Sequence, residues 1–394
     1  TPMSATSAGT QTSIPSSQTS HPTGASLDTS GSLAGAGGER RRTLGMVALV
    51  VVLSAFFAGL FGLFGRDSQP EYVAEANSVA IFAFENLKDS ADPERYGQIF
   101  QDVLITALAD LEPLKVFSGQ RLYEIQKQLS SQDSHVFDRE VTTDVARRAG
   151  AQHMLTGSLG QLGDKWILNC QMVQVADGTV AFSKRIDGDD LYQIAEVLTH
   201  ELRDDLSITT PAEVADGASV RSKTSSSLDA YRIYLDGLDL LNANKYREAA
   251  DVFRKALEVD PDFGKAHYAL AMAVSWPGDN PKAAKAIYDE FLSRKLYASE
   301  KERRIAQAAR ARLDNQYAQI LPEQEALVRD YPDEKDVWYE LGETLFHYPG
   351  GGKEAEALEA FDKAIALDPD FLLSYQHIFD ALWEGERYEE ALAR

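Results

Sequence analysis

At 394 residues the chain is long enough for two domains and their connections. With 61 acidic residues against 39 basic ones its net charge is −22, which excludes the basic footprint that nucleic-acid binding requires. Cys170 is the sole cysteine, so an intrachain disulfide and a thiolate metal cage are excluded, and its place in an alternating apolar run reads as a small buried hydrophobe.

Residues 1–42 form the first segment. Up to residue 38 they are mostly Ser, Thr, Gly, Ala and Pro, almost without charge or large apolar residues. Such a stretch buries too little surface to offset its ordering entropy and reads as a disordered linker. Residues 43–65 (TLGMVALVVVLSAFFAGLFGLFG) carry no charge. At about 1.5 Å per residue they match a hydrocarbon core ~30 Å thick, so a transmembrane helix is expected, with the lipid bilayer as a partner. Arg40, Arg41 and Arg42 precede this span and a lone Arg66 follows it. The positive-inside rule then makes the chain a single-pass membrane protein with a cytoplasmic N-terminus, and puts residues 66–394 outside the cytoplasm, in the periplasm where the host has two membranes. Ala55 with Gly59, and Ala58 with Gly62, are small-xxx-small pairs that would allow a homodimer. A chain that begins with Thr1 and stops at Arg394 within a helical pattern reads as a fragment.

From residue 70 to 208 short apolar runs alternate with helical periodicity. Val79 to Phe84 reads as a buried strand. Asp92-Pro93 opens a helix on which Phe100, Val103, Leu104, Ala107 and Leu111 share a face, and Pro113 ends it. A strand at 114–117 and helices at 119–129 and 138–149 follow, the last closed by Gly150. Strands are expected at 153–159, 165–175 and 179–186, the last two joined by an Asp177-Gly178 hairpin turn. A helix over 189–206 ends the unit. SVAIFAFENL (78–87), the polar DSADPERYG (89–97), ALADLEPLKVF (107–117) and AGAQHMLTGSL (149–159) together resemble the TolB-like domain, related to TolB and to FlgO- and CsgG-like proteins. The sequence departs from that family at Ala83, where proline is usual. The resemblance implies an extracytoplasmic binding or assembly module and supplies no catalytic residues.

Residues 209–226 are a polar linker, and 227–394 are helical and repetitive. Ala249, Phe253, Ala256 and Pro261 recur at identical spacing as Ala357, Phe361, Ala364 and Pro369; Gly237 recurs as Gly342; ALEVDPDF (256–263) and AIALDPDF (364–371) are near copies. Small residues let two helices cross, an aromatic knob fills the space beside them, and proline ends the second helix. With Trp338, Leu341 and Gly342 the pattern resembles the tetratricopeptide repeat, a period to be sought early in any sequence. Two repeats are clear, at 228–261 and 335–369. Weaker ones cover 264–296 and 299–332, the latter opened by a capping box from Ser299 to Glu302 and disturbed by Pro322. A fifth begins at 372 and is truncated. The expected fold class is thus multidomain: a disordered tail, one transmembrane helix, an α/β TolB-like domain and an all-α tetratricopeptide solenoid.

In that family the first helices of successive repeats line a concave groove. The resemblance places Tyr234, Tyr268 and Tyr339 at equivalent inward positions, with Leu238, Met272, Trp276, Phe346 and His347 nearby, as a site for a protein or peptide partner. Tyrosines stand where the family's carboxylate clamp needs lysines, so capture of a C-terminal carboxylate is not expected. No catalytic, cofactor-binding or metal constellation is found. Asp262-Phe263-Gly264 lies in a repeat-ending turn without a kinase catalytic loop. His200-Glu201 would need a second His where Asp204 stands, and Gly352-Lys353 is followed by Glu354 instead of a hydroxyl residue. The expected function is a non-enzymatic, membrane-anchored interaction or sensor module. The alternative is the non-catalytic C-terminal part of a bacterial receptor serine/threonine kinase or adenylate cyclase, whose linker and domain order it resembles.

Overall fold

The computed structural model describes residues 72–109, 111, 113–129, 139–205 and 219–393. Residues from Pro70 onward belong to one compact unit. The expected tail (1–42) and span (43–65), with the small-residue pairs proposed for a dimer, lie outside the described residues. Among the described residues no helix is long and apolar enough to cross a membrane. The expected fold class is therefore corrected: the described chain is mostly a helical repeat solenoid with a small sheet region. The single-pass localisation is corrected with it, because no described element carries it.

The sheet region is built from β1 (Glu75–Ile81), β2 (Glu85–Asn86), β3 (Lys115–Val116), β4 (Ala151–Leu162), β5 (Lys165–Gln174) and β6 (Val180–Gly188), with helices α1 (Tyr96–Leu108), α2 (Gly119–Leu129), α3 (Arg139–Ala149) and α4 (Leu191–Asp205). The strand order is β3-β1-β4-β5-β6, with β2 beside β4. β1 pairs in parallel with both β3 and β4, while β4, β5 and β6 form an antiparallel meander. A strand buried on both faces must be apolar on both, and VAIF meets that requirement. Val79 and Ile81 join the core beneath α1 and α4, whereas Ala80 and Phe82 face α2 and α3. The β5–β6 turn places Gly178 at φ +75°, with the Asp177 carboxylate accepting from Thr179 N–H at 2.8 Å. Helix α1 starts at Tyr96, later than Asp92-Pro93, yet Asp92 still caps it by accepting from the N–H groups of Tyr96 and Gly97 at 3.1 and 2.9 Å.

After a short 3₁₀ turn (Val220–Lys223) come five helix pairs: α5 (Leu228–Asn242) and α6 (Tyr246–Val259), α7 (Gly264–Ser275) and α8 (Pro281–Ser293), α9 (Glu300–Arg312) and α10 (Tyr317–Asp330), α11 (Lys335–Phe346) and α12 (Glu354–Leu367), α13 (Leu372–Glu384) and α14 (Tyr388–Ala393). The Ser299–Glu302 capping box forms in both directions. Pro322 sits inside α10 without ending it. In the first and fourth pairs the signature residues do the same work: Gly237 lies against Phe253 and Gly342 against Phe361, with matching separations. Asp260 and Asp368 each accept from the N–H two residues on at 3.2 Å, closing the turn into the next repeat. The apolar core beneath α1 and α4 runs without interruption into that of the repeats.

Candidate functional site

Against the first helices of the repeats stand α1 and α2 of the chain's own sheet region. At one end Asp102 of α1 accepts from the Tyr231 hydroxyl at 2.5 Å and pairs with Lys265 Nζ at 2.7 Å. Arg95 reaches Asp236 and Asp239 of α5 at 2.9 and 2.7 Å. At the other end Lys335, at the start of α11, sits between Glu124 of α2 (3.1 Å) and Asp368 (2.5 Å), and Lys127 reaches Asp370 at 2.8 Å. Between these two clasps lies a cleft of about 810 Å³, within the ~300–1,000 Å³ common for ligand sites.

One wall of the cleft includes Tyr234, Leu238, Tyr268, Met272 and Trp276 of the first two repeats. The structure thus brings five of the eight expected groove residues together. Tyr339 does not line the cleft: it is 1% exposed and packs edge-on against Trp276 and Phe371. Phe346 and His347 lie elsewhere, beside His377. Even Tyr234 and Tyr268 are mostly enclosed, Tyr234 by Phe253 and Phe263. The opposite wall, with Gln101, Asp102 and Tyr123, was not expected. No local sequence signal marks it, since more than a hundred residues separate the two walls.

Charge around the cleft is uneven. Its lining holds seven carboxylates against four cationic side chains. Burial pushes the Glu124 carboxyl up to about 7, although Lys335 and a hydrogen bond from Gln120 pull the other way. Burial also works against the Lys335 ammonium, but Glu124 and Asp368 outweigh it and hold its pKa above the usual value. Asp336, whose carboxylate takes the Tyr268 hydroxyl at 3.4 Å, is likewise raised by burial against the opposing pull of Lys301. The cleft offers apolar contact and an acidic surround, a set suited to binding.

Residues 234–299 and 302–370 match the family model described as tetratricopeptide repeat. These segments are tetratricopeptide repeats. Among curated proteins the chain is similar to "Putative adenylate cyclase 3" of Rhizobium meliloti (strain 1021), 22% identical over 225 residues, or 54% of this chain and 36% of the relative. The chain thus spans about a third of that relative's length. Among solved structures it is similar to the LpoB C-terminal domain of Salmonella enterica (21% identity, 31% of this chain and 89% of that one, TM-score 0.25). It is also similar to MamA from Desulfovibrio magneticus RS-1 (22%, 42% and 89%, TM-score 0.26).

A second polar cluster lies within the tetratricopeptide array, where α11 meets α13. Arg312, from α9, pairs with Glu340 at 3.3 Å and Glu343 at 3.0 Å, all three buried or nearly so. Glu343 Oε1 lies 2.5 Å from His377 Nε2. Burial alone would raise the Glu343 carboxyl, but Arg312 and His377 hold it down at about 2. Glu343 and His377 were not singled out in the sequence, and repeat register does not pair them: the helix N-caps Glu334 and Phe371 stand 37 residues apart, so His377 occupies the place of Glu340 in the preceding repeat, and only the packing of α13 on α11 brings it to Glu343.

Proposed function

We propose that the chain is a protein-interaction module that holds a polypeptide segment in the cleft between its tetratricopeptide repeats and its sheet region. The supporting observation is the cleft wall of Tyr234, Leu238, Tyr268, Met272 and Trp276. Aromatic side chains with polar tips give large contact areas at low entropic cost. The surplus of carboxylates favours a segment that combines apolar side chains with lysine or arginine. The test is a displayed peptide library panned on the whole chain. Selected peptides should be basic and apolar, and should lose binding to a Leu238→Glu variant whose helicity and melting are unchanged. Peptides that bind the wild type and Leu238→Glu equally would refute the cleft as the site.

A second reading is favoured by the similarity to putative adenylate cyclase 3, of which the chain spans about a third. In it, this segment is the non-catalytic part of a longer signalling protein, a cyclase or a serine/threonine kinase, and the two readings are compatible. Reading the gene upstream of Thr1 tests it: an in-frame catalytic domain supports the reading, and a start codon within a few dozen residues refutes it.

A further inference from the structure

Two histidines scattered in the sequence converge on one carboxylate. Glu343 and His347 are i and i+4 on the last turn of α11 and its C-terminal cap, so their side chains share a helix face. His377 comes from α13 of the following repeat. One ligand atom from each of the three residues lies within 4.8 Å of the others. Donors on a single tetrahedral ion stand ~3.3 Å apart, given metal–ligand bonds of about 2.0–2.2 Å, so an ion replaces the 2.5 Å Glu343–His377 contact, opening that pair slightly while the exposed His347 ring swings in. Two further contacts orient the other two side chains. The His377 ring stacks on Phe361 with centroids 5.1 Å apart and planes at 11°. The second oxygen of Glu343 is engaged by Arg312 at 3.0 Å, the kind of outer-sphere contact that orients a ligating carboxylate. His347 is exposed, which provides a route in from solvent and room for a water ligand.

We propose that Glu343, His347 and His377 bind one divalent cation of the zinc class and thereby tie the fourth repeat to the fifth. Two imidazoles and one carboxylate suit zinc and its borderline neighbours, whereas calcium and magnesium prefer an all-oxygen set. The inference stands apart from the cleft, since none of the three residues lines it.

The whole chain, stripped with a chelator, is titrated with Co²⁺ followed by visible absorption and with Zn²⁺ followed by calorimetry. Saturation at one equivalent is expected, with Zn²⁺ displacing Co²⁺, and Zn²⁺ should raise the thermal midpoint. His347→Ala should weaken binding at least tenfold and abolish that rise while leaving the metal-free midpoint unchanged, because the side chain is exposed. His377→Asn should weaken binding similarly; if that variant fails to fold, His347→Ala alone decides. Equal Zn²⁺ affinity in the wild type and His347→Ala, or no saturable binding by the wild type, would overturn the proposal.

Discussion

Replacing Gly237 by alanine isolates the close helix crossing on which each repeat depends. A Cβ at that position would stand 2.5 Å from Cε1 and 2.7 Å from Cδ1 of Phe253. The ring is fully buried and packed against Tyr234, so it cannot retreat by the ångström or so that van der Waals contact requires. Overpacking of this kind costs about 1–3 kcal/mol, and this approach belongs at the upper end. Alanine recovers about 1 kcal/mol of helix propensity, leaving a net loss of about 2 kcal/mol. Guanidinium unfolding followed by far-UV circular dichroism should show the lower midpoint. Gly342→Ala should match it, because Phe361 stands at the same distances. Gly160→Ala, with nothing within 4 Å of the new methyl, should stay within about 0.5 kcal/mol of wild type. Phe253→Leu should cost less in the Gly237→Ala background than alone. A Gly237→Ala protein as stable as wild type would refute the crossing argument.

Three further outcomes are expected. Asp102→Ala strands Lys265 and the buried Tyr231 hydroxyl, and should cost on the order of 3 kcal/mol with faster amide exchange in α1; unchanged exchange there would contradict the clasp. Glu124 binds its proton more tightly in the folded chain, at about 7, than an ordinary glutamate does at 4.5. Its stabilising contribution is therefore complete below about pH 4.5 and is lost as pH rises to about 7; melting curves across that range should flatten in Glu124→Gln, and parallel curves would refute the assignment. Burial, reinforced by Glu201, pushes the Cys170 thiol up to about 12, so iodoacetamide at pH 8 should label the protein only after unfolding, and stoichiometric labelling of the native chain would be inconsistent with this packing.

What could be read from the sequence was what neighbouring residues decide. The repeats were legible because helix pairing joins residues close in the chain: Gly237 meets Phe253 sixteen residues on, and Gly342 meets Phe361 nineteen residues on across a turn three residues longer. The capping box at Ser299 and the Asp177-Gly178 turn were legible for the same reason. The strands of the sheet region showed in their apolar runs, and VAIF signalled burial on both faces. The groove residues were less secure, since register places a tyrosine on the inner side of a repeat without saying what covers it. Tertiary structure decided that α1 and α2 face the repeats, that Tyr339 is sealed between Trp276 and Phe371, and that the equivalent aspartates Asp260 and Asp368 take different partners, Ser225 in one case and Lys335 in the other. It also decided that Glu343, His347 and His377 meet. Helix propensity and turn chemistry act over a few residues, whereas a contact such as Asp102 with Lys265 closes a loop of more than 160 residues. The entropy of closing such a loop depends only weakly on its length, so the partner is chosen by shape and charge complementarity that exists only once both surfaces have folded.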